Sequence, residues 1–191
     1  MDNFGSLREI YPYDTSTRTF TIPARVSHYD DFFNPMDPSP APARDLAPEL
    51  VEYLNQCSDE IPYKYPIVIS MQVQNDAPDE HREQECRASL QTFYQHGIFV
   101  SQAGIQRKRG KALKYLLISF SCLTTYIISS PWNMEAFFWS LLREAVLIGG
   151  WVFMWEAVTL NFIEMDGYYQ EIRKYKRLIG AKVCFIYDQI T

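Results

Sequence analysis

Two apolar runs in its second half constrain this chain more than any other feature. "YLLISFSCLTTYIISSPWNM" (Tyr115–Met134) carries no charged residue. About 20 uncharged residues is the length a helix needs to cross a hydrocarbon core ~30 Å thick. The second run, Ala145–Ile163, is of similar length but contains Glu156 and Asn161. Its Leu, Ile, Val and Phe residues each favour insertion by roughly 0.3–0.6 kcal/mol, against a cost on the order of 3 kcal/mol for a central acid. Ser119, Ser121, Thr124, Thr125, Ser129 and Ser130 dilute the first run as well. Each run alone is near balance, and two antiparallel spans can share the burden. The competing reading is a helical pair buried in a soluble protein.

Charge separates along the chain. Residues 1–105 hold sixteen acids and seven bases, a net of -9, and residues 106–191 hold eleven bases and seven acids, a net of +4. The bases cluster beside the apolar runs, in "QRKRGKALK" (Gln106–Lys114) and "EIRKYKR" (Glu171–Arg177). The link "SPWNMEA" (Ser130–Ala136) has none. The positive-inside rule then places both termini in the cytosol and the link outside, which points to the inner (cytoplasmic) membrane. Arg107, Lys108, Arg109, Lys111 and Lys114 before the spans, and Arg173, Lys174, Lys176 and Arg177 after them, are expected to meet lipid phosphate rather than nucleic acid. Trp132 and Trp139 suit the outer interface, and Tyr115, Tyr168 and Tyr169 the inner one.

The first half reads as alternating strands and helices. Residues 1–17 look irregular. "TRTFTIPARV" (Thr17–Val26) is strand-like, with Pro23 marking an edge or a bulge. Residues 34–48 read as an extended Pro-rich linker that wraps over its own domain. A helix with Leu46, Leu50, Leu54 and Cys57 on one side follows, with Asp45 as its cap. "YPIVISMQV" (Tyr65–Val73) alternates as a strand, and a long helix starts near Asp79 and runs to Arg109, with a kink near Gly97. "AKVCFIYDQ" (Ala181–Gln189) is a further strand, expected to return to the same sheet. The fold class is therefore an α+β membrane protein. A small cytosolic α/β sandwich (β-α-β-α plus a C-terminal strand, residues 1–110) carries an inserted two-helix transmembrane hairpin in 111–166. Its spans cover about 113–131 and 143–163 by the length rule. Residues 167–191 complete the chain as a basic juxtamembrane helix and the last strand.

Charges within the hairpin are the candidate functional residues, because intramembrane ionisable groups are costly and are kept for pairing or for transport. Arg143 and Glu144 belong either near the outer headgroups or paired inside the bundle. Glu156 lines up on a helical wheel with Ala145, Gly149, Val152 and Thr159. Ala145, Gly149 and Thr159 form a small face suited to close packing against Ser121, Thr125 and Ser129 of the first span. A hairpin folded about residue 134 brings Glu156 level with Lys111 to Lys114, so a Lys114–Glu156 ion pair is the structural reading. An ion or proton site is the functional one.

Catalytic signatures are absent from the sequence: no GxSxG, P-loop, GxGxxG or HExxH. His28, His81 and His96 are isolated and read as surface or capping residues. The four cysteines (Cys57, Cys86, Cys122, Cys184) lack metal spacing, and the start has no signal peptide, which favours reduced thiols. No cofactor, metal or enzymatic activity is expected.

"FFNPMDPSPAPARDLAPELVEYL", "GKALKYLLISFSCL" and "LLREAVLIGGWVFMWEAVTLNFIEMDGYYQEIRKYKRL" resemble an uncharacterised family of small bacterial two-span membrane proteins. Members combine a Pro-rich cytosolic segment, a basic approach to the membrane, two spans and a basic tail. They are richer in Arg and Trp after the second span than "NFIEMDGYYQE" is. The resemblance implies the topology and brings no activity. The expected function is an interaction or oligomerisation module held at the lipid bilayer. Its partner would be another copy or a different membrane or cytosolic protein. Alternatives are an oligomeric channel or effector lined by the hairpins, and a membrane-tethered enzyme.

Overall fold

The computed structural model describes residues 3–129 and 137–187. Trp132, the link Ser130–Ala136 with the end of the first apolar run, and the last two positions of the expected C-terminal strand lie outside them. The chain is mixed α/β and divides into two compact units, Met1–Phe99 with Ile172–Thr191, and Val100–Glu171.

The first unit holds α1 (Asn3–Ile10), β1 (Tyr13–Asp14), β2 (Thr19–Val26), a 3-10 turn (Tyr29–Phe32), α2 (Pro48–Glu60), β3 (Ile67–Val73) and β4 (Lys182–Tyr187). Two long helical stretches run through both units: α3 (Glu80–Ser129), and α4 (Phe137–Thr159) followed by a π-helical turn (Leu160–Glu164) and α5 (Met165–Ile179).

The strands form one sheet in the order β1-β2-β3-β4. β1 is antiparallel to β2, while β2, β3 and β4 run parallel. Alternation decides which side chains turn inward. Phe20, Ile22, Ala24, Val26, Ile67, Ile69, Met71, Val73 and Val183 are buried, together with Leu50, Leu54 and Cys57 of α2, Cys86, Leu90 and Tyr94 of α3, and Leu178 of α5. The opposite face carries Thr21, Pro23 and Arg25 beside Val68, Ser70 and Gln72, and then Lys182, Cys184 and Ile186. These side chains are half-buried to exposed, Ile186 among the latter.

Both sheet edges are blunted. On β2, the Phe20 N–H reaches Pro66 while the Thr21 N–H reaches Pro12 on the other side. Pro23, in phase with Thr21, faces the side where β1 has already ended. Its missing N–H therefore costs no ladder bond, and its carbonyl accepts the Tyr53 hydroxyl at 2.6 Å. The edge position read for Pro23 is thus created by the shortness of β1. On β4, the Val183 carbonyl accepts Arg87 Nε at 3.2 Å, and the guanidinium lies over the Phe185 ring.

Several local readings change. Residues 3–10, expected to be irregular, are helical, and Tyr11 beyond them is buried with its hydroxyl donating to Glu60 at 2.6 Å. Asp45 does not cap α2. Pro48 occupies the first turn, where its fixed φ and absent N–H suit a helix start, and the Asp45 N–H donates to Asp37 instead. The Pro-rich segment is a closed loop rather than an extended linker: Phe33 bridges Leu46, Asn34 N–H donates to Asp45 and Ala47 N–H to Phe32. No break occurs at Gly97. α3 runs through it, and its bare backbone there seats a ring: a Cβ would stand 2.9 Å from Tyr175. Asp79 does act at the start of α3, accepting from the His81 and Arg82 N–H groups.

Arg177 secures the return of the chain. Its guanidinium donates to the carbonyls of Ser58 (2.6 Å), Ile61 (2.7 Å), Pro62 (3.2 Å) and Tyr65 (2.8 Å). Ser58 is in the last turn of α2, whose carbonyls lack helical partners, and Ile61, Pro62 and Tyr65 follow it in the loop to β3. Lys174 pairs with Asp59, and Arg173 lies over the Tyr63 ring. Replacing Arg177 with Met keeps the stem but takes a donor from four carbonyls, of which Pro62 retains the Tyr65 N–H. We expect a loss of about 2–4 kcal/mol in denaturant unfolding followed through the α/β unit, with Lys restoring little because it lacks the planar fork.

Candidate functional site

Polar side chains gather at the carboxyl ends of the parallel strands, where open α/β sheets place their crevices. His28 Nδ1 meets Asp76 Oδ1 at 2.8 Å, and Asp76 Oδ2 accepts the Tyr29 N–H at 2.7 Å. The His28 N–H donates to Asp31, and Arg82 pairs with Asp30 at 2.7 Å. The Tyr29 and Tyr187 hydroxyls are 2.6 Å apart, Tyr187 also donates to Glu83, and Tyr29 accepts the Asp79 N–H. An open cavity of about 430 Å³ is lined by His28, Tyr29, Asp30, Asp76, Asp79 and Arg82. Sequence separations of 47 to 158 residues between the partners that join its segments hid this cluster. The only linear sign was "SHYDD" before one turn and "NDAPD" before another. Among the described residues no group of three or more His, Cys, Asp or Glu is arranged to hold a metal ion.

The hydrogen bond to Asp76 raises the His28 pKa above its ordinary 6.5, and the same bond lowers that of Asp76 below 3.8. His28 therefore contributes stability that is full below its unfolded pKa and is lost as pH rises through the raised value. Asp76 contributes above its unfolded pKa and loses that contribution as pH falls through the lowered value. The pair's contribution to stability is therefore full between pH 3.8 and pH 6.5 and is lost outside that window. An NMR titration should give His28 a pKa above 6.5, and Asp76→Asn should bring it back toward 6.5.

The second unit is of another kind. Both long helices contain an 18-residue window apolar enough to cross a membrane, with mean hydropathy 1.4 in Glu80–Ser129 and 1.6 in Phe137–Ile179. Only 11% and 17% of these windows is buried. Leu117, Phe120, Ile127, Ile148, Trp151 and Trp155 are among the large side chains facing outward. The helices pack antiparallel through a narrow seam. Ser101 donates to Glu171, and a Cβ on Gly104 would stand 2.6 Å from the Tyr168 ring. Lys108 pairs with Glu164, Arg109 reaches the Tyr169 hydroxyl, and Tyr115 packs on Phe153. Ser119, fully buried, donates to the Gly150 carbonyl at 2.8 Å.

This seam differs from the expected one. Ser121, Thr125 and Ala145 are exposed, and Gly149 has open space around its Cα. The Thr125 and Ser129 hydroxyls turn back onto Ser121 and Tyr126 of their own helix. Thr159 is half-buried and makes no cap bond. The close approach is at Gly150, where a Cβ would be 3.2 Å from Cys122 and Leu123. Among the described residues, the ion pair joining the two helices is Lys108–Glu164. Glu156 is half-buried, Lys114 and Glu144 are exposed, and none of the three forms an ion pair among the described residues. Arg143 lies over the Tyr126 ring, 4.9 Å from its centroid. Of the bases assigned to lipid phosphate, Arg107, Lys111, Lys114 and Lys176 are exposed. Lys108, Lys174 and Arg177 are engaged with protein carboxylates or carbonyls, Arg109 meets Tyr169, and Arg173 stacks on Tyr63. Gly150→Leu should destabilise the helix pair by about 1–3 kcal/mol through overpacking, while Gly149→Leu should be near neutral. Thermal unfolding in detergent distinguishes the two.

Comparison with protein-family models, with curated proteins and with solved structures gave no match.

Proposed function

We propose that the chain is a two-pass protein of the cytoplasmic membrane whose α/β unit works on the cytosolic side as an interaction module. One observation carries this reading: two apolar helical windows long enough to span, with 11% and 17% of their residues buried. A core helix of a soluble protein would hide such a window, and a surface this apolar left in water would drive aggregation. The antiparallel seam supports reading the pair as a transmembrane hairpin, with Lys111 and Lys114 beside the first window and Lys176 beyond the second as the inner flank.

The module reading rests on the sheet. Pro23 with Tyr53 closes one edge and Arg87 the other, so strand addition is disfavoured. The uncovered face around Arg25, Ser70, Gln72 and Ile186 is the surface offered to a second copy or another protein. A second reading, an oligomeric channel, draws on Glu144 and Glu156, which lack an ion-pair partner among the described residues. The membrane-tethered enzyme gains no support beyond the polar crevice at the strand ends.

Topology is testable by cysteine labelling. In intact cells a membrane-impermeant maleimide should modify Phe137→Cys, a position 82% exposed at the start of α4, and spare Gln106→Cys until the membrane is opened. Labelling of both from outside, or release of the protein by carbonate washing, overturns the proposal. Solute leakage from vesicles holding a defined oligomer, abolished by Glu156→Gln, would favour the channel.

A further inference from the structure

We infer that Arg143 anchors a binding site for the phosphodiester of a phospholipid headgroup. The inference rests on the proposed membrane topology and deepens it. A cavity of about 310 Å³ opens between the two helices at their turn-side ends. Thr125, Tyr126, Ser129, Trp139, Ser140 and Arg143 line it. Arg143 is half-buried, and its guanidinium lies over Tyr126. Among the described residues it meets no carboxylate. A guanidinium presents five N–H donors and no acceptor, and one lodged between apolar helices is costly until an anion or acceptor faces it.

Leu142 and Val146 complete a mainly apolar lining, and its few polar groups favour an anion. Thr125 and Ser129 spend their hydroxyl protons on backbone carbonyls of their own helix. The Tyr126 and Ser140 hydroxyls and the Trp139 indole N–H have no hydrogen-bond partner among the described residues, so donors remain beside Arg143, and no described carboxylate competes for it. Glu144 is the adjacent acid, but it follows Arg143 directly in the helix, where consecutive side chains point about 100° apart, and it is exposed.

Position agrees with a lipid source. From Lys114 to Tyr126, the level of Arg143, is twelve residues, or about 18 Å of helix, so the guanidinium's Cα lies some 10 Å inside the far edge of a ~30 Å core. Side chains of a helix lean toward its N-terminus. In α4 that direction is toward Phe137 and the proposed outer surface, and from its place over Tyr126 the guanidinium has a headgroup phosphate within reach on that side. A flat, planar donor fork matches two phosphate oxygens at once.

The test uses the full chain purified in mild detergent and examined by native mass spectrometry. The probes are phosphatidylglycerol, a neutral diacylglycerol and inorganic phosphate. The wild-type protein should retain one phosphatidylglycerol, with little diacylglycerol. Arg143→Gln should weaken retention roughly tenfold or more, the worth of a charged hydrogen-bond pair, with Arg143→Lys intermediate. Ser140→Ala should weaken it by less. Vesicle flotation of each variant reads membrane insertion separately. Equal lipid retention by Arg143→Gln with normal flotation overturns the lipid site and leaves the topology standing. Saturation by inorganic phosphate with no lipid bound also overturns it, assigning the site to a free anion. Failure of the wild-type protein to float removes the topology, and the inference with it.

Discussion

Return of the chain is the constraint on which the α/β unit depends. β3 and β4 are parallel neighbours, from Val68 with Lys182 to Val73 with Tyr187, yet more than a hundred residues separate them in sequence. Loop-closure entropy grows only slowly with length, so a long insertion is tolerable if something fixes its exit. Arg177 does so by binding four carbonyls between the last turn of α2 and the start of β3. Leu178 then enters the core, Gly180 and Ala181 turn back on Lys176 and Leu178, and β4 begins. Within the second unit the antiparallel seam brings Ser101 to Glu171, so the segment's entry and exit already lie together. Each half of the problem is solved locally: small residues align the helices, and one guanidinium aligns the strand.

Glycine and tyrosine divide the work along that return. Tyr175 lies against Gly97 and Tyr94 in the first unit, and Tyr168 against Gly104 in the second. Rings seated on a bare backbone allow close approach without a groove of complementary side chains. The same economy appears at Ser119 and Gly150, where a hydroxyl takes up a helix carbonyl in an apolar setting. There an extra acceptor is satisfied by the partner helix instead of by water.

Strand alternation was legible because period two leaves only two choices of face, and β2, β3 and the start of β4 follow it. The span-length helices were legible from length and composition. The helix seam was not. A stripe of small residues fixes a face only to within a rotation, and one position, Gly149 against Gly150, is a rotation of about 100°. The basic flanks misled for a related reason. Charge beside a span suits lipid phosphate, but nothing linear shows that Asp59, Glu164 and the end of α2 lie close enough to claim Lys174, Lys108 and Arg177 first. The crevice at the strand ends stayed hidden because its pairs, such as His28 with Asp76 and Tyr29 with Tyr187, are joined only by the sheet.

Pairing of charges also differs between the two ends of the helical segment. At the end that holds the segment's entry and exit, Lys108 and Glu164 neutralise one another and Arg109 has the Tyr169 hydroxyl. At the turn-side end Arg143 has only an aromatic face. A cation over a ring is worth about 0.5–2 kcal/mol, less than the roughly 2.5–3.5 kcal/mol charged for Arg at the centre of a span. Tyr126 therefore offsets part of the cost and leaves the remainder to depth and to an anion. Glu156 sits differently. Counting along the seam from Ser119–Gly150 and Tyr115–Phe153, it lies level with Leu113, within one turn of Lys111 and Lys114 and of the proposed inner interface. There water and headgroups solvate a carboxylate at modest cost. The half-buried acid therefore needs no partner helix to be tolerated, whereas the arginine at the far end does need an acceptor.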